Sequence, residues 1–280
     1  MNSKIFKSFF KSYAENVDNA DQLFFWKLSD ELIEDVLIKN LSKRLSRTYK
    51  ILDAGGGTGR WIVKLAKKYE CTFVLYDLSK EMLKKAKENF NSIDLIDRVK
   101  IYQGNLENMN KIKDESIDYL ISIYNPISFV SHPDKVLKEF HRIISKKGRV
   151  IIMAQNIYNG ICSKMNNPSS SVQELKELEQ KNIIKWNPYT PTLSLFSKES
   201  LQSLLEENGF RIIKSYGIPI FLQPGPEDFD STNKLKSKIS DKLEKNLNFY
   251  KEVKRIESKY NSFEELVNRG MNILTVAEKS

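Results

Sequence analysis

Strands and helices alternate along the central part of this chain in a pattern that specifies an α/β architecture, an open, doubly wound and mostly parallel sheet. Three features carry that reading. An apolar strand, Ile51-Leu52-Asp53-Ala54, runs straight into the glycine-rich turn Gly55-Gly56-Gly57-Thr58-Gly59 and then into a helix. A second strand, Thr72-Phe73-Val74-Leu75-Tyr76, ends in Asp77. Further strands follow at Val99-Lys100-Ile101-Tyr102 and at Ile117 to Ser122, each after a helical or turn-rich stretch.

The first turn has a chemical purpose. Glycines take positive φ and let a ligand lie against the backbone with no side chain between them. Asp53, at the strand end, can accept hydrogen bonds from loop amides or from a cationic ligand group, and Ala54 leads into the turn. A dinucleotide fingerprint requires GxGxxG, but counting from Gly55 and Gly57 the third position is Arg60. The series present is DxGxGxG, from Asp53 through Gly55 and Gly57 to Gly59. It resembles the first motif of the class I S-adenosylmethionine-dependent methyltransferases, whose loop packs on the methionine part of the cofactor.

The following elements keep the order of that family. Asp77 stands about 20 residues past the loop, where this type of fold binds ribose hydroxyls. Leu78 and Met82, in Leu78-Ser79-Lys80-Glu81-Met82, match the apolar residues that the resemblance places around the adenine. In Gly104-Asn105-Leu106, Asn105 falls where the family commonly has an Asp that accepts from the adenine amino group and can accept through its side-chain oxygen, and Leu106 beside it is a further expected cofactor contact. The helix from Pro133 to Ser145, the stretch Arg142 to Gly148 and the strand Arg149 to Met153 resemble the family's next helix, turn and fifth strand. The resemblance spans residues 50 to 155. It implies a Rossmann-like seven-stranded sheet whose last strand is antiparallel and inserts beside the fifth, and it implies S-adenosyl-L-methionine as cofactor.

The 280 residues, 40% hydrophobic, suffice for one large domain with an inserted lid. The expected organisation is an N-terminal helical cap (1–46), the cofactor-binding half (47–156), an insertion or lid (157–192) and the second half of the domain (193–280). Within the cap, Leu32, Ile33, Val36, Leu37, Leu41 and Leu45 recur at helix period and predict a helix from Ser29 to Leu45. Upstream, Tyr13 is the residue singled out to fold over the cofactor. The insertion should hold one helix, about Val172 to Lys181. Ser197 should cap a helix bearing Leu201, Leu204 and Leu205, ended by Gly209 and followed by the strand Phe210 to Ser215. One long helix through Leu235, Ile239, Leu243, Leu247, Tyr250, Val253 and Ile256 then leads to the last strand, Met271 to Ala277.

The net charge of +9 invites a nucleic-acid reading. Its distribution argues against one, because the lysines of Lys80 to Lys87 and of Lys242 to Lys245 are interleaved with glutamates at helical spacing. A small-molecule acceptor ranks above RNA or DNA. No apolar run approaches the length of a membrane span and the N-terminus lacks a secretory core, so a cytoplasmic protein is expected. The two cysteines, Cys71 and Cys162, show no metal spacing and are expected to be reduced.

Methyl transfer from a sulfonium requires in-line placement of the nucleophile and exclusion of water, with a base only where the acceptor must lose a proton. His132, after the fourth strand, is the candidate base. Tyr124 and Asn125, in Tyr124-Asn125-Pro126 at the fourth strand's end, are the candidate contacts to the methionine moiety or the acceptor. His141 carries little catalytic weight. The expected activity is methyl transfer to N or O of a small molecule. The alternatives are other chemistry on the same sulfonium, such as cyclisation or aminocarboxypropyl transfer, and an RNA or DNA methyltransferase.

Overall fold

A computed structural model of the chain describes residues 8–11, 14, 22–42, 45–187, 189–225 and 238–280. Its first long helix, α1, spans Phe24–Asn40. It begins five residues before the expected Ser29, because Phe25 and Leu28 extend the apolar stripe that continues through Leu32, Ile33, Val36 and Leu37, all buried. Each such side chain contributes roughly 1.5–3 kcal/mol by burial. The helix ends at Asn40, whose side-chain amide donates back to the Val36 carbonyl at 2.8 Å. Leu41 leaves in extended conformation, and Leu41 and Leu45 are buried from outside the helix.

The alternating core follows. β1 is Lys50–Ala54, α2 Arg60–Ala66, β2 Thr72–Asp77, α3 Lys80–Asn91, β3 Val99–Gln103 and β4 Ile117–Ser122. After a 3₁₀ turn at Pro126–Phe129 come α4, Pro133–Ile143, and β5, Ile144–Gln155. Ile144 already pairs with Ile117, so β5 starts five residues before the expected Arg149 and absorbs the end of the expected helix.

The stretch 157–192 contains more than the one helix expected. α5 spans Ile157–Met165 and α6 Val172–Lys181, and β6 (Ile183–Ile184) pairs with β7 (Leu193–Ser194). Gly160 hides α5 from a pattern reading, since glycine weakens a helix signal. In the fold it lets the helix sit against Leu195, which a Cβ there would meet at 3.1 Å.

α7, Lys198–Glu207, is capped by Ser197, and Gly209 turns at φ +81° into β8, Phe210–Ile218. Leu235 lies outside the described residues. The expected long helix is two, α8 (Lys238–Lys245) and α9 (Leu247–Tyr260), because the Asn246 side chain accepts from the Phe249 amide and starts a new helix. A short α10, Glu264–Val267, precedes β9, Asn272–Lys279.

The seven strands are ordered β3-β2-β1-β4-β5-β9-β8. β1 to β5 are parallel, and β9 runs antiparallel between β5 and β8. Alternate residues of each strand feed opposite faces: Ile51, Phe73 and Ile121 pack with α1, while Leu52, Val74 and Leu120 pack with α4 and α7. The strand order reverses between β1 and β4, and the crevice outside their carboxyl ends is where open sheets of this kind bind ligands.

Cys71 is buried, which pushes its thiol up to about 11, and Cys162 is exposed; both are free. Among the described residues no helix is long and apolar enough to cross a membrane, and no group of His, Cys, Asp and Glu could hold a metal ion.

Candidate active site

The glycine turn is built by its own hydrogen bonds. The Gly55 amide donates to the Tyr76 carbonyl at 2.7 Å, and the Gly59 amide to Gly56 at 2.9 Å. Gly55 and Gly59 both sit at φ +74°. A Cβ on Gly55 would meet Pro126 at 2.6 Å, and one on Gly59 the Phe90 ring at 2.2 Å, so these two positions accept only glycine. Gly57 differs. A Cβ there would meet only the Met82 sulfur, at 3.7 Å, so the backbone faces open space on the cavity side.

Asp77 fastens this turn to β2. Its carboxylate accepts from the Gly57 amide at 2.9 Å and from the Ser79 amide at 2.8 Å. Burial raises its pKa, opposed by the bonds from Ser79 and Gly57. Asp53 lies deeper, 1% exposed, and neither carboxylate oxygen has a hydrogen-bond partner among the described residues. Burial, helped by the negative charge of Asp77 and opposed by Arg60, pushes it up to about 8. An orphaned buried carboxylate is costly unless a cationic group reaches it.

Beyond the turn opens a cavity of about 300 Å³, in the range of small-molecule sites. Gly55, Gly57, Asp77, Met82 and Tyr124, all expected site residues, line it. Asp53, Ala54, Gly59 and Leu106 lie outside the lining; Asp53 and Ala54 end β1, and Leu106 is buried with its Cδ1 3.6 Å from the Cβ direction of Gly55. Leu78 is exposed and outside the lining. Asn105 is exposed too, its side-chain oxygen taken by the Glu107 amide at 3.0 Å. Tyr13 lies outside the described residues.

The two catalytic expectations change in meaning. His132 is exposed and does not line the cavity; it precedes α4, its backbone amide held by Glu107 at 3.0 Å, while Phe129 takes the wall position nearest in sequence. The Tyr124 hydroxyl donates to Asp30 of α1 at 2.5 Å, and burial together with the Asp30 charge raises its pKa well above the usual phenol value. Tyr124 therefore keeps its proton near neutral pH and is no base. His141 packs edge-on against Phe210, away from the cavity lining, with its pKa lowered by burial and by Lys279.

Other lining residues were not among the expected site residues. Phe9, Phe10 and Trp26 come from the N-terminal segment, Phe129 from the 3₁₀ turn, Trp186 and Thr190 from the stretch between β6 and β7, and Leu193 from β7. Gln155 ends β5 and Asn272 begins β9, and with Asn125 they set three primary amides together in the wall. Asp30 also binds Arg60 at 2.8 Å and Lys64 at 3.3 Å, so one buried carboxylate on α1 ties α2 to the loop after β4.

These features fit the cofactor that the glycine turn implies. Asp53 offers an unmet acceptor pair for an ammonium group, Asp77 can accept from ribose hydroxyls, and the bare side of Gly57 leaves room for a ligand against the backbone.

Comparison with known proteins agrees. The family described as "Methyltransferase domain" matches residues 45–260. The chain is 26% identical over 194 residues to the ubiquinone/menaquinone biosynthesis C-methyltransferase UbiE of Rickettsia prowazekii, covering 66% of this chain and 73% of that protein. UbiE of Escherichia coli O1:K1 is 30% identical over 109 residues, 38% of this chain and 43% of that protein, so the match spans less than half of that relative. Among solved structures, a chain from the complex of the Haloferax volcanii Trm112 methyltransferase activator with its candidate methyltransferase superposes with a TM-score of 0.60 at 13% identity, covering 98% of this chain and 96% of that one. A candidate histamine N-methyltransferase from Thermotoga maritima gives 0.57 at 18% identity over 99% of both chains. Geranyl diphosphate C-methyltransferase from Streptomyces coelicolor gives 0.55 at 12% over 90% of this chain and 79% of that one. At such identities these structures speak to the fold alone. Together with the family match, they identify the chain as a member of the class I S-adenosylmethionine-dependent methyltransferases.

Proposed function

We propose that the chain transfers a methyl group to nitrogen or oxygen of a small-molecule acceptor held in the cavity beyond the glycine turn. The observation that carries this reading is the make-up of the wall, with aromatic rings from Phe9, Phe10, Trp26, Phe129 and Trp186 around the neutral amides of Asn125, Gln155 and Asn272. Rings exclude water and take a flat or apolar body, and amides orient a polar tip. When bound, S-adenosylmethionine supplies a methyl group already activated on a sulfonium. The chain's task is then placement: Asp53 and Asp77 hold the polar ends of the cofactor, Met82 packs beside it, and the rings keep solvent out.

The ionisable residues among the described lining are Asp77, Arg60 and Tyr124. Each is engaged, Asp77 by amides, Arg60 and Tyr124 by Asp30. This supports an acceptor that brings its own lone pair, such as a neutral amine. A second reading, methylation of a ring carbon, draws on the similarity to UbiE C-methyltransferases. The experiment that separates them supplies carbon-13-methyl S-adenosylmethionine with pooled amines, phenols and hydroquinones and reads the chemical shift of the new methyl. A methyl on N or O supports the proposal, one on carbon replaces it with the second reading, and label found only in added RNA contradicts both.

A further inference from the structure

We propose that Trp186 selects the methyl acceptor, and that the acceptor is an uncharged molecule whose aromatic ring stacks on it. This deepens the proposed function and rests on its reading of the cavity as the acceptor site. Trp186 lines the cavity and is half-buried, so a ligand in the cavity can reach its ring.

The order of the strands separates two ends of the cavity. Asp77 ends β2, the glycine turn follows β1, Tyr124 follows β4, and Gln155 ends β5 with Asn272 paired beside it on β9. Neighbouring strands lie about 4.8 Å apart, so the three steps from β2 to β5 carry the cavity across about 14 Å of sheet edge. The bare Gly57 backbone and Asp77, which suit the cofactor, belong to the β2 and β1 end. The β5 and β9 end is left for the acceptor. The insertion is fastened there, since the Phe196 amide donates to the Gln155 carbonyl at 2.9 Å and the Ile157 amide to the Phe196 carbonyl at 3.0 Å.

Trp186 is a fixed part of that end. It packs against the insertion's own apolar cluster of Leu178, Ile184, Leu193 and Leu195. Just after it, the Thr190 amide and hydroxyl both donate to the Asn187 carbonyl, at 3.2 and 3.0 Å, and close the loop. Other rings of the wall are engaged with one another: Phe10 lies edge-on to Phe9 and Phe129, and Trp26 to Phe25 and Tyr124. Among the described residues Trp186 is paired with no other ring, which leaves it for a ligand to stack on. Charge narrows the class further. Among the described residues the charged side chains of the lining are Asp77 on β2 and Arg60 on α2, and Arg60 is held by Asp30 at 2.8 Å. A carboxylate or phosphate on the acceptor would lose its water at the β5 and β9 end with no cation to replace it.

The test uses the full chain saturated with S-adenosylhomocysteine and ligand-observed NMR titrations. Phenol and cyclohexanol share a hydroxyl on a six-membered ring, so the ratio of their affinities reports stacking. Trp186→Leu keeps an apolar side chain on the cluster but removes the aromatic ring, and that ratio should fall about fivefold, while Trp186→Phe should hold it within about twofold of the parent. A ratio unchanged in Trp186→Leu or equally low in Trp186→Phe would overturn the proposal, as would no phenol binding by the parent. The parent alone tests the charge: phenol should bind at least about tenfold more tightly than para-hydroxybenzoate, and equal binding is contrary. S-adenosylhomocysteine affinity in Trp186→Leu should stay within about twofold of the parent, whereas a loss of about tenfold would assign the ring to the cofactor and overturn the proposal. Failure of the parent to bind S-adenosylhomocysteine would instead strike the reading of the site itself.

Discussion

The Tyr124 hydroxyl is bonded to the Asp30 carboxylate at 2.5 Å, joining the loop that closes β4 to the helix that covers the site. Asp30 is 4% exposed and is shared with Arg60 and Lys64. A carboxylate so engaged holds Tyr124 as a fixed wall of the cavity. Tyr124→Phe should therefore keep the rate of methyl transfer within about tenfold of the parent and lower stability by about 1 kcal/mol, the worth of one hydrogen bond. Loss of all activity with an unchanged cofactor affinity would show that the hydroxyl takes part in the chemistry.

Asp53 makes stability depend on pH in a particular direction. Its folded value of about 8 lies above the ordinary carboxylate value of 3.8, so the folded chain keeps a proton that the unfolded chain releases. Its contribution to stability is then greatest at low pH, falls as pH rises from about 4 to 8, and is level above that. Asp53→Asn should match the parent near pH 5 and, without cofactor, exceed it near pH 8 by at least about 1 kcal/mol. Denaturant titrations at the two values check this, and an equal gap at both contradicts it. The same variant should bind S-adenosylmethionine less well, since the ammonium would lose a carboxyl group whose ionised form its own charge favours.

Asp77 has two duties, so its removal should be felt twice. Asp77→Ala strips partners from the Gly57 and Ser79 amides and takes away the acceptor for the ribose. S-adenosylhomocysteine should bind at least about tenfold more weakly, with a drop in melting temperature measured alongside. An unchanged affinity would remove Asp77 from the site.

Glu257 predicts a contrast. Buried on α9, its carboxylate accepts from three successive amides, Ile220, Phe221 and Leu222, at 2.7, 2.8 and 2.7 Å. Glu257→Ala leaves all three without that acceptor and should cost about 3 kcal/mol or more in urea unfolding, while affinity for S-adenosylhomocysteine at low temperature stays the same. A matching loss of affinity would tie this loop to the site.

How far the sequence reaches can be traced residue by residue. The glycine turn, Asp77 and the succession of strands are local or sequential signals, and the turn and β1 to β4 stand where they were expected, as does the antiparallel β9 that the resemblance implied, while β5 starts earlier. Asp30, Gln155 and Asn272 carry no motif, because their roles come from partners 94, 30 and 147 residues away along the chain. A polar residue ending a parallel strand, as Gln155 does, was the one available hint. His132 drew notice by residue type, but its place before α4, with its amide held by Glu107, is set by tertiary packing that no spacing reveals.

The most direct measurement is calorimetric titration of the chain with S-adenosylmethionine and S-adenosylhomocysteine, with NADH as the control and Asp77→Ala alongside. Both sulfur ligands should bind one to one and NADH should not bind, with binding at least about tenfold weaker in the variant. Binding of NADH, or sulfur-ligand affinities indifferent to Asp77, would contradict the placement of the cofactor between the glycine turn and the end of β2.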